Sequence, residues 1–228
     1  MSLFVFILPM SCMTTTQSIL STQITDETGA AVPYAAVEIR DEFAEVYSRT
    51  EADAEGQIEL ELPPLQTFFA VVSAEDYLKA SFTGFSGEGD FLMEPGTLWL
   101  RTPEDVEPQI EAFTNCTPTS EGLVDGQARM AIPEQDSDSL PIVSTATVHL
   151  IDKDDRFIPA CYIPETESTS DTSQTGETGK YAFFGVEEGL YILRTEVIIS
   201  GVETHQIDYV IYMPDGGTVP LYPTLIPL

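Results

Sequence analysis

Residues 53–62 read DAEGQIELEL, a turn followed by a strict alternation of polar and apolar residues. Successive side chains of a β-strand point to opposite faces, so Ile58, Leu60 and Leu62 share one face and the glutamates meet solvent. The glycine follows the aspartate by three residues, and glycine accepts the positive φ that hairpin turns need. The stretch therefore predicts a hairpin strand with one wet face.

The same alternation recurs along the chain, at 37–40, 145–150 and 205–212, between turns rich in Gly, Pro and Asp. Few stretches hold a 3.6-residue period over ten residues. A short helical turn is compatible with 103–112, but the prolines there favour a linker. Many short strands at close spacing predict an all-β fold of antiparallel sandwiches.

Gly56 and Gly179 anchor a weak internal repeat. Each starts a hairpin, and the second strand follows at Val71 in one copy and at Leu193 in the other. The repeat predicts two tandem sandwiches of related fold. The boundaries are a leader and tether at 1–17, a first sandwich at 18–104, a linker at 105–118, and a second sandwich at 119–228 with an insertion at 165–177.

The residues around this hairpin carry a family resemblance. Residues 29–39 read GAAVPYAAVEI, 50–56 read TEADAEG, and 72–77 read VSAEDY. Together they resemble the carboxypeptidase regulatory-like domain, a prealbumin-like (Ig-like) sandwich also found in transthyretin. The resemblance is weaker in the second half, where the long insertion interrupts it. It implies a prealbumin-like fold and, for most members, no catalysis.

Charge restricts the partners. Nine Lys and Arg stand against 38 Asp and Glu, so the formal net charge is −29. A polymer of phosphates would be repelled, which excludes nucleic acid, and an anionic membrane surface is disfavoured for the same reason. The 12 Phe and 9 Tyr are too many for a disordered acidic tail. The dispersed acidic residues are most simply a solubility feature.

The amino terminus suggests where in the cell the protein is located. An apolar run at 3–10 ends at Ser11-Cys12, which resembles a bacterial lipoprotein signal whose cysteine is acylated. Pro9 and the absence of basic residues before Cys12 depart from that pattern, and the alternative is a buried strand. We expect a bacterial envelope protein, lipid-anchored through Cys12 at the outer membrane or extracellular. Contact with the membrane would be through that anchor only.

Two further groups are candidate sites. Cys116 and Cys161 would pair as a disulfide in an exported protein, or are two unrelated core residues. Asp152, Asp154 and Asp155 place three carboxylates on one turn and are a calcium candidate, the single cofactor considered. The alternative is a solvated acidic turn.

Aromatic residues near the 84–89 loop are candidate contacts for a ligand. They are Phe82, Phe85, Phe91 and Trp99. Exposed rings on loops suit carbohydrate or peptide binding, whereas core packing is the alternative.

Nothing in the sequence predicts catalysis. The two histidines, His149 and His205, stand alone, and neither a nucleophile elbow nor a phosphate-binding glycine loop is present. We therefore expect a non-catalytic spacer or adhesion protein that uses an edge strand to contact an envelope protein or a neutral glycan. The alternative is a carbohydrate- or peptide-binding module of a secreted system, and a third interpretation is an accessory part of a secreted enzyme system.

Overall fold

The computed structural model describes residues 18–87, 91–92, 97–131, 140–163, 174–199 and 203–227. Cys12 and most of the 165–177 insertion lie outside these residues. The described part of the chain is almost entirely β, which confirms the predicted fold class. Its elements are β1 Ser18–Asp26, β2 Ala36–Arg40, β3 Val46–Glu51, β4 Gln57–Leu62, β5 Thr67–Ser73, β6 Ala80–Phe85, β7 Phe91–Leu92, β8 Leu98–Leu100, α1 Pro103–Ile110, β9 Leu123–Ala131, β10 Ala146–Ile151, β11 Phe157–Pro159, β12 Cys161–Tyr162, β13 Lys180–Phe183, β14 Gly189–Ile199, β15 Glu203–Met213 and β16 Thr218–Pro227.

The strands form three sheets in the described residues. One holds β4, β1, β7 and β8, a second has the order β11-β10-β14-β15, and the third has the order β12-β13-β9-β16-β6-β5-β2-β3. Most pairs are antiparallel, as the alternation predicts, but β1 pairs in parallel with β7 and β8, and β16 with β9 and β6. The third sheet crosses from the first half (18–100) to the second (123–227), which the repeat alone does not predict.

Each half has its own apolar core. Alternate residues of β2 and β5 point inward, so Val37 and Ile39 meet Ala70 and Val72 across the strands. Side chains buried in the first core include Leu20, Ile24, Ile39, Leu60, Phe68, Val72, Leu98 and Leu100. Those of the second include Val124, Val148, Leu150, Tyr181, Phe183, Leu193, Ile211 and Val219. The domain boundaries at 104/105 and 118/119 remain predictions, although neither core extends across them.

Four turns are built on the same aspartate arrangement. Two of them close the β2–β3 and β10–β11 hairpins, whereas the hairpin predicted after Gly56 is wrong, because β4 pairs with β1 and β5 pairs with β2 and β6. The aspartate Oδ1 accepts hydrogen bonds from the backbone N–H groups two and four residues later, at 2.8–3.0 Å. The residue three positions after the aspartate has a positive φ in every case. The pairs are Asp26 with Gly29, Asp41 with Ala44, Asp53 with Gly56, and Asp152 with Asp155. Two turns therefore place a side chain in a conformation that favours glycine.

A helix forms at Pro103–Ile110, where the prolines predicted a linker. The Thr102 hydroxyl accepts from the Asp105 backbone N–H, and the Asp105 carboxylate accepts from the Thr102 backbone, a reciprocal capping box. Pro103 suits the first turn, where its missing N–H has no intrahelical partner. Val106 and Ile110 are buried, so packing outweighs the cost of the internal proline.

Candidate functional site

A buried ion pair joins the halves. Arg101 follows β8, Asp125 lies in β9, and two hydrogen bonds of 2.7 and 2.6 Å link the guanidinium to both carboxylate oxygens. The side chains are only 2% and 4% exposed. The Trp99 ring lies 5.4 Å from the guanidinium carbon. A buried bidentate pair tolerates little displacement, so it fixes the relative position of β8 and β9.

Helix α1 fills the space beside this pair. Val106, Ile110 and Phe113 form a small third core with residues from both halves, Leu78 of the first and Leu123, Ala182 and Phe184 of the second. The chain after the helix is bonded to the second half, because the structure joins Cys116 to Cys161 with a Cα–Cα separation of 6.3 Å. The two cysteines singled out in the sequence are thus brought together, at a separation ordinary for a disulfide.

A cleft of about 300 Å³ lies between the halves. Its floor is the face of β2 and β5 that points away from the first core, because Ala36, Glu38 and Arg40 alternate with the buried Val37 and Ile39. On β5, Ser73 lies opposite Ala36, and Val71 lies opposite Glu38. The small side chains of Ala36 and Ser73 leave open space at this end of the floor.

One end of the cleft is built around Tyr212 at the end of β15. Its ring lies 5.9 Å from the Phe69 ring, and the Arg40 guanidinium carbon is 5.0 Å above it. The hydroxyl donates to the Glu188 carboxylate. Burial, reinforced by that carboxylate, raises the pKa of Tyr212 to about 12, so the phenol stays protonated. Arg40 also contacts Glu38 at 2.9 Å, which leaves this end rigid.

The other end is more open and carries opposite charges. The Lys79 ammonium donates to the backbone carbonyl of Asp215 at 3.1 Å. Lys79 also accepts from the Thr218 backbone N–H at 2.7 Å through its own carbonyl, which anchors it to β16. Asp215 is exposed, and Ser73 lies on the adjacent floor. The cleft therefore offers ammonium, hydroxyl and carboxylate groups within one small space.

The aromatic residues predicted as ligand contacts do not form one surface. Phe82 and Phe85 are three apart on β6, so their side chains point to opposite faces. Phe82 packs against the first core, whereas Phe85 is 62% exposed. Trp99 lies in β8 of another sheet. Phe91 lies in β7, and its side chain is outside the described part of the structure.

The candidate calcium turn uses its first carboxylate internally. Asp152 accepts from the Asp154 and Arg156 backbones through Oδ1 and from the Arg156 guanidinium through Oδ2. These donors, the Arg156 backbone foremost, hold the pKa of Asp152 below its usual value. Asp154 and Asp155 do not converge with it, and no three acidic, His or Cys side chains among the described residues are placed to hold a metal.

The two histidines lie on opposite faces of one sheet. His149 is in register with Arg194, which is in register with Asp208, while His205 alternates to the other face of β15. The His149 ring packs edge-on against Phe157 at 5.5 Å between centroids. The two imidazoles therefore cannot act together on one substrate.

No helix in the described residues is long and apolar enough to cross a membrane. No protein family and no curated protein match the sequence.

Among solved structures, the TIE protein of Bacillus anthracis is 11% identical with a TM-score of 0.32, and the match covers 93% of this chain and 33% of that one. The chain thus spans a third of that protein. The minor pilin of Streptococcus agalactiae is 10% identical with a TM-score of 0.33, covering 92% and 94%. A putative carbohydrate binding protein from Bacteroides uniformis is 11% identical with a TM-score of 0.30, covering 86% and 99%. At these identities and TM-scores the matches carry no argument about this chain.

Proposed function

We propose that the protein is a non-catalytic structural protein of the bacterial envelope, a spacer or adhesion module anchored through Cys12. The observation that carries this proposal is the buried Arg101–Asp125 pair. A spacer must hold its two ends at a fixed separation, and independent sandwiches on a flexible linker would not. The ion pair, the shared sheet and the packed helix instead couple the two cores into one stiff body.

An exported location fits the cysteines. A disulfide persists in oxidising compartments and is rare in the cytosol, and the Cys116–Cys161 bond fastens the segment after α1 to β12. The charge of −29 keeps such a protein soluble and turns away polyanions, so the partners are envelope proteins or neutral glycans.

The experiment that tests this function is fractionation of a bacterium that expresses the full chain. We expect the protein to sediment with membranes, a Cys12→Ala variant to become soluble, and a Cys116→Ser control to stay bound. Membrane-bound Cys12→Ala protein would contradict the anchor.

Absence of catalysis has its own test. Purified protein should turn over no peptide, ester or glycoside. Turnover that disappears on mutating His149 or His205 would contradict the proposal.

A second candidate function, a binding module, is favoured by the cleft between the halves rather than by the aromatic residues. The cleft is concave and gathers polar groups from both halves.

A further inference from the structure

The cleft suits a small ligand. Its volume of about 300 Å³ lies at the lower end of ligand pockets, which run from about 300 to 1,000 Å³. The floor from Ala36 to Arg40 is five residues of a strand, and the four steps between them span about 13 Å at ~3.3 Å per residue. One ring with its substituents would fill this space, and an extended polymer would reach it only with a terminal unit.

The polar groups of the cleft are of both kinds and lie close together. Lys79 and Ser73 can donate hydrogen bonds, whereas the carboxylates of Glu188 and Asp215 accept them. Neighbouring hydroxyls, each donor and acceptor at once, match such a mixed set.

Charge disfavours an anionic ligand, and the mixed set of donors and acceptors suits a neutral one. The cleft holds two cationic side chains, Arg40 and Lys79, against three anionic ones, Glu38, Glu188 and Asp215. Its local charge is thus slightly negative, inside a protein whose net charge is −29. An anionic ligand would be repelled at long range. A metal ion lacks a converging set of ligands in the part of the chain that is described.

We infer that this cleft binds a single neutral sugar ring, with its hydroxyls between Lys79, Asp215 and Glu188. The inference rests on the second candidate function and specifies its ligand class and its site. Because the lining residues come from both halves, a bound sugar would contact β2 and β5 on one side and the β15–β16 turn on the other.

The test is an NMR titration of the full chain with four neutral sugars, which are glucose, galactose, mannose and N-acetylglucosamine. Galacturonate, an anion, and the dipeptide Ala-Ala are titrated separately for comparison. We expect at least one neutral sugar to shift the amides of Ser73, Lys79 and Asp215 with millimolar affinity. Asp215→Asn and Lys79→Met should each weaken binding about five- to tenfold, the size of one ordinary hydrogen bond. The matched controls Asp76→Asn and Lys153→Met, both outside the cleft, should change it less than about twofold.

Three results would overturn the inference. One is that no neutral sugar shifts the cleft amides, and another is that galacturonate or Ala-Ala binds more tightly than every neutral sugar. The third is that binding survives both cleft variants and is lost in Phe85→Ala, which would keep a binding module but move its site. A protein that binds no sugar yet fractionates with the envelope refutes this inference alone, because fractionation tests the spacer proposal separately.

Discussion

Removal of one partner of the buried Arg101–Asp125 pair should be among the most damaging single changes in the protein. In Asp125→Ala the guanidinium loses two hydrogen bonds of 2.6 and 2.7 Å and remains 2% exposed. Removal of one partner of a buried ion pair destabilises a protein by about 3–5 kcal/mol, because the remaining charge stays buried without its opposite charge and arginine keeps its proton. We expect a loss of that size in the free energy of unfolding.

The double variant Arg101→Met/Asp125→Leu separates the charge from the packing. Replacement of a buried ion pair by apolar residues of similar volume is often neutral or stabilising. We therefore expect the double variant to recover at least about 2 kcal/mol of the loss seen in Asp125→Ala. Arg194→Met, which breaks the exposed pair with Asp208, is the control and should cost at most about 1 kcal/mol.

Urea denaturation followed by tryptophan fluorescence measures all four proteins, because Trp99 lies against Arg101. The expected order of stability is wild type and Arg194→Met highest, the double variant next or equal, and Asp125→Ala lowest. A cost below about 1 kcal/mol for Asp125→Ala would refute the reasoning, since it would mean that water reaches the guanidinium.

The remaining predictions concern local features. Ala44→Gly should stabilise the protein by about 0.5–1 kcal/mol, because Ala44 has a φ of +63°, which favours glycine. The control Ala30→Gly, in the Asp26 turn, should not stabilise it. Thermal unfolding of the two variants measures the difference. Burial raises the pKa of Tyr162 to about 12. Its contribution to the free energy of unfolding is therefore complete below pH 10 and should fall by about 1.4 kcal/mol per pH unit between pH 10 and 12. Tyr162→Phe should flatten that slope, and an unchanged slope in that variant would contradict the assignment. The Thr28 hydroxyl and nearby backbone N–H groups lower the pKa of Asp26. The stabilisation that this carboxylate gives is therefore complete above the ordinary pKa of an aspartate and is lost as the pH falls through the lowered pKa. Asp26→Asn should reduce that loss in acid unfolding curves. Thiol titration of the unfolded, unreduced protein should detect neither Cys116 nor Cys161, and two reactive thiols at these positions would contradict the disulfide.

The strands could be predicted because alternation is a local property. The alternation predicts that four residues are buried, and the structure buries all of them: Val37, Ile39, Ile58 and Leu60. The turns at Gly29 and Gly56 are marked by glycine. The equivalent turns at Ala44 and Asp155 are not, since there the aspartate at the first position holds the turn.

The calcium hypothesis also rests on a local pattern of the sequence. The cluster of acidic residues around Asp152 predicts a ligand, but its Oδ1 accepts from backbone N–H groups of its own turn and its Oδ2 accepts from the Arg156 guanidinium. Phe82 and Phe85 are three residues apart, which already predicts opposite faces of a strand. The number of aromatic residues near the loop suggested a single binding surface instead.

The cleft and the ion pair depend on long-range pairing. Glu38 and Asp215 line the same cleft, and β16, which follows Asp215, pairs with β6 of the first half. Arg101 follows the apolar run Leu98–Leu100, which is a sign of burial, but no local pattern identifies Asp125 as its partner. Such contacts follow from the register of strands distant in sequence, which alternation does not specify.

The central claim, that the two halves form one stiff body, is tested most directly by a distance between them. Spin labels at Glu61 and Lys153, one in each half, can be introduced as cysteines in a Cys12→Ser background with the Cys116–Cys161 disulfide intact. Double electron–electron resonance should give one narrow distance distribution in the wild-type background and a broader one in Asp125→Ala. A broad or multiple distribution already present in the wild-type background would contradict the account, because it would show two sandwiches that move independently.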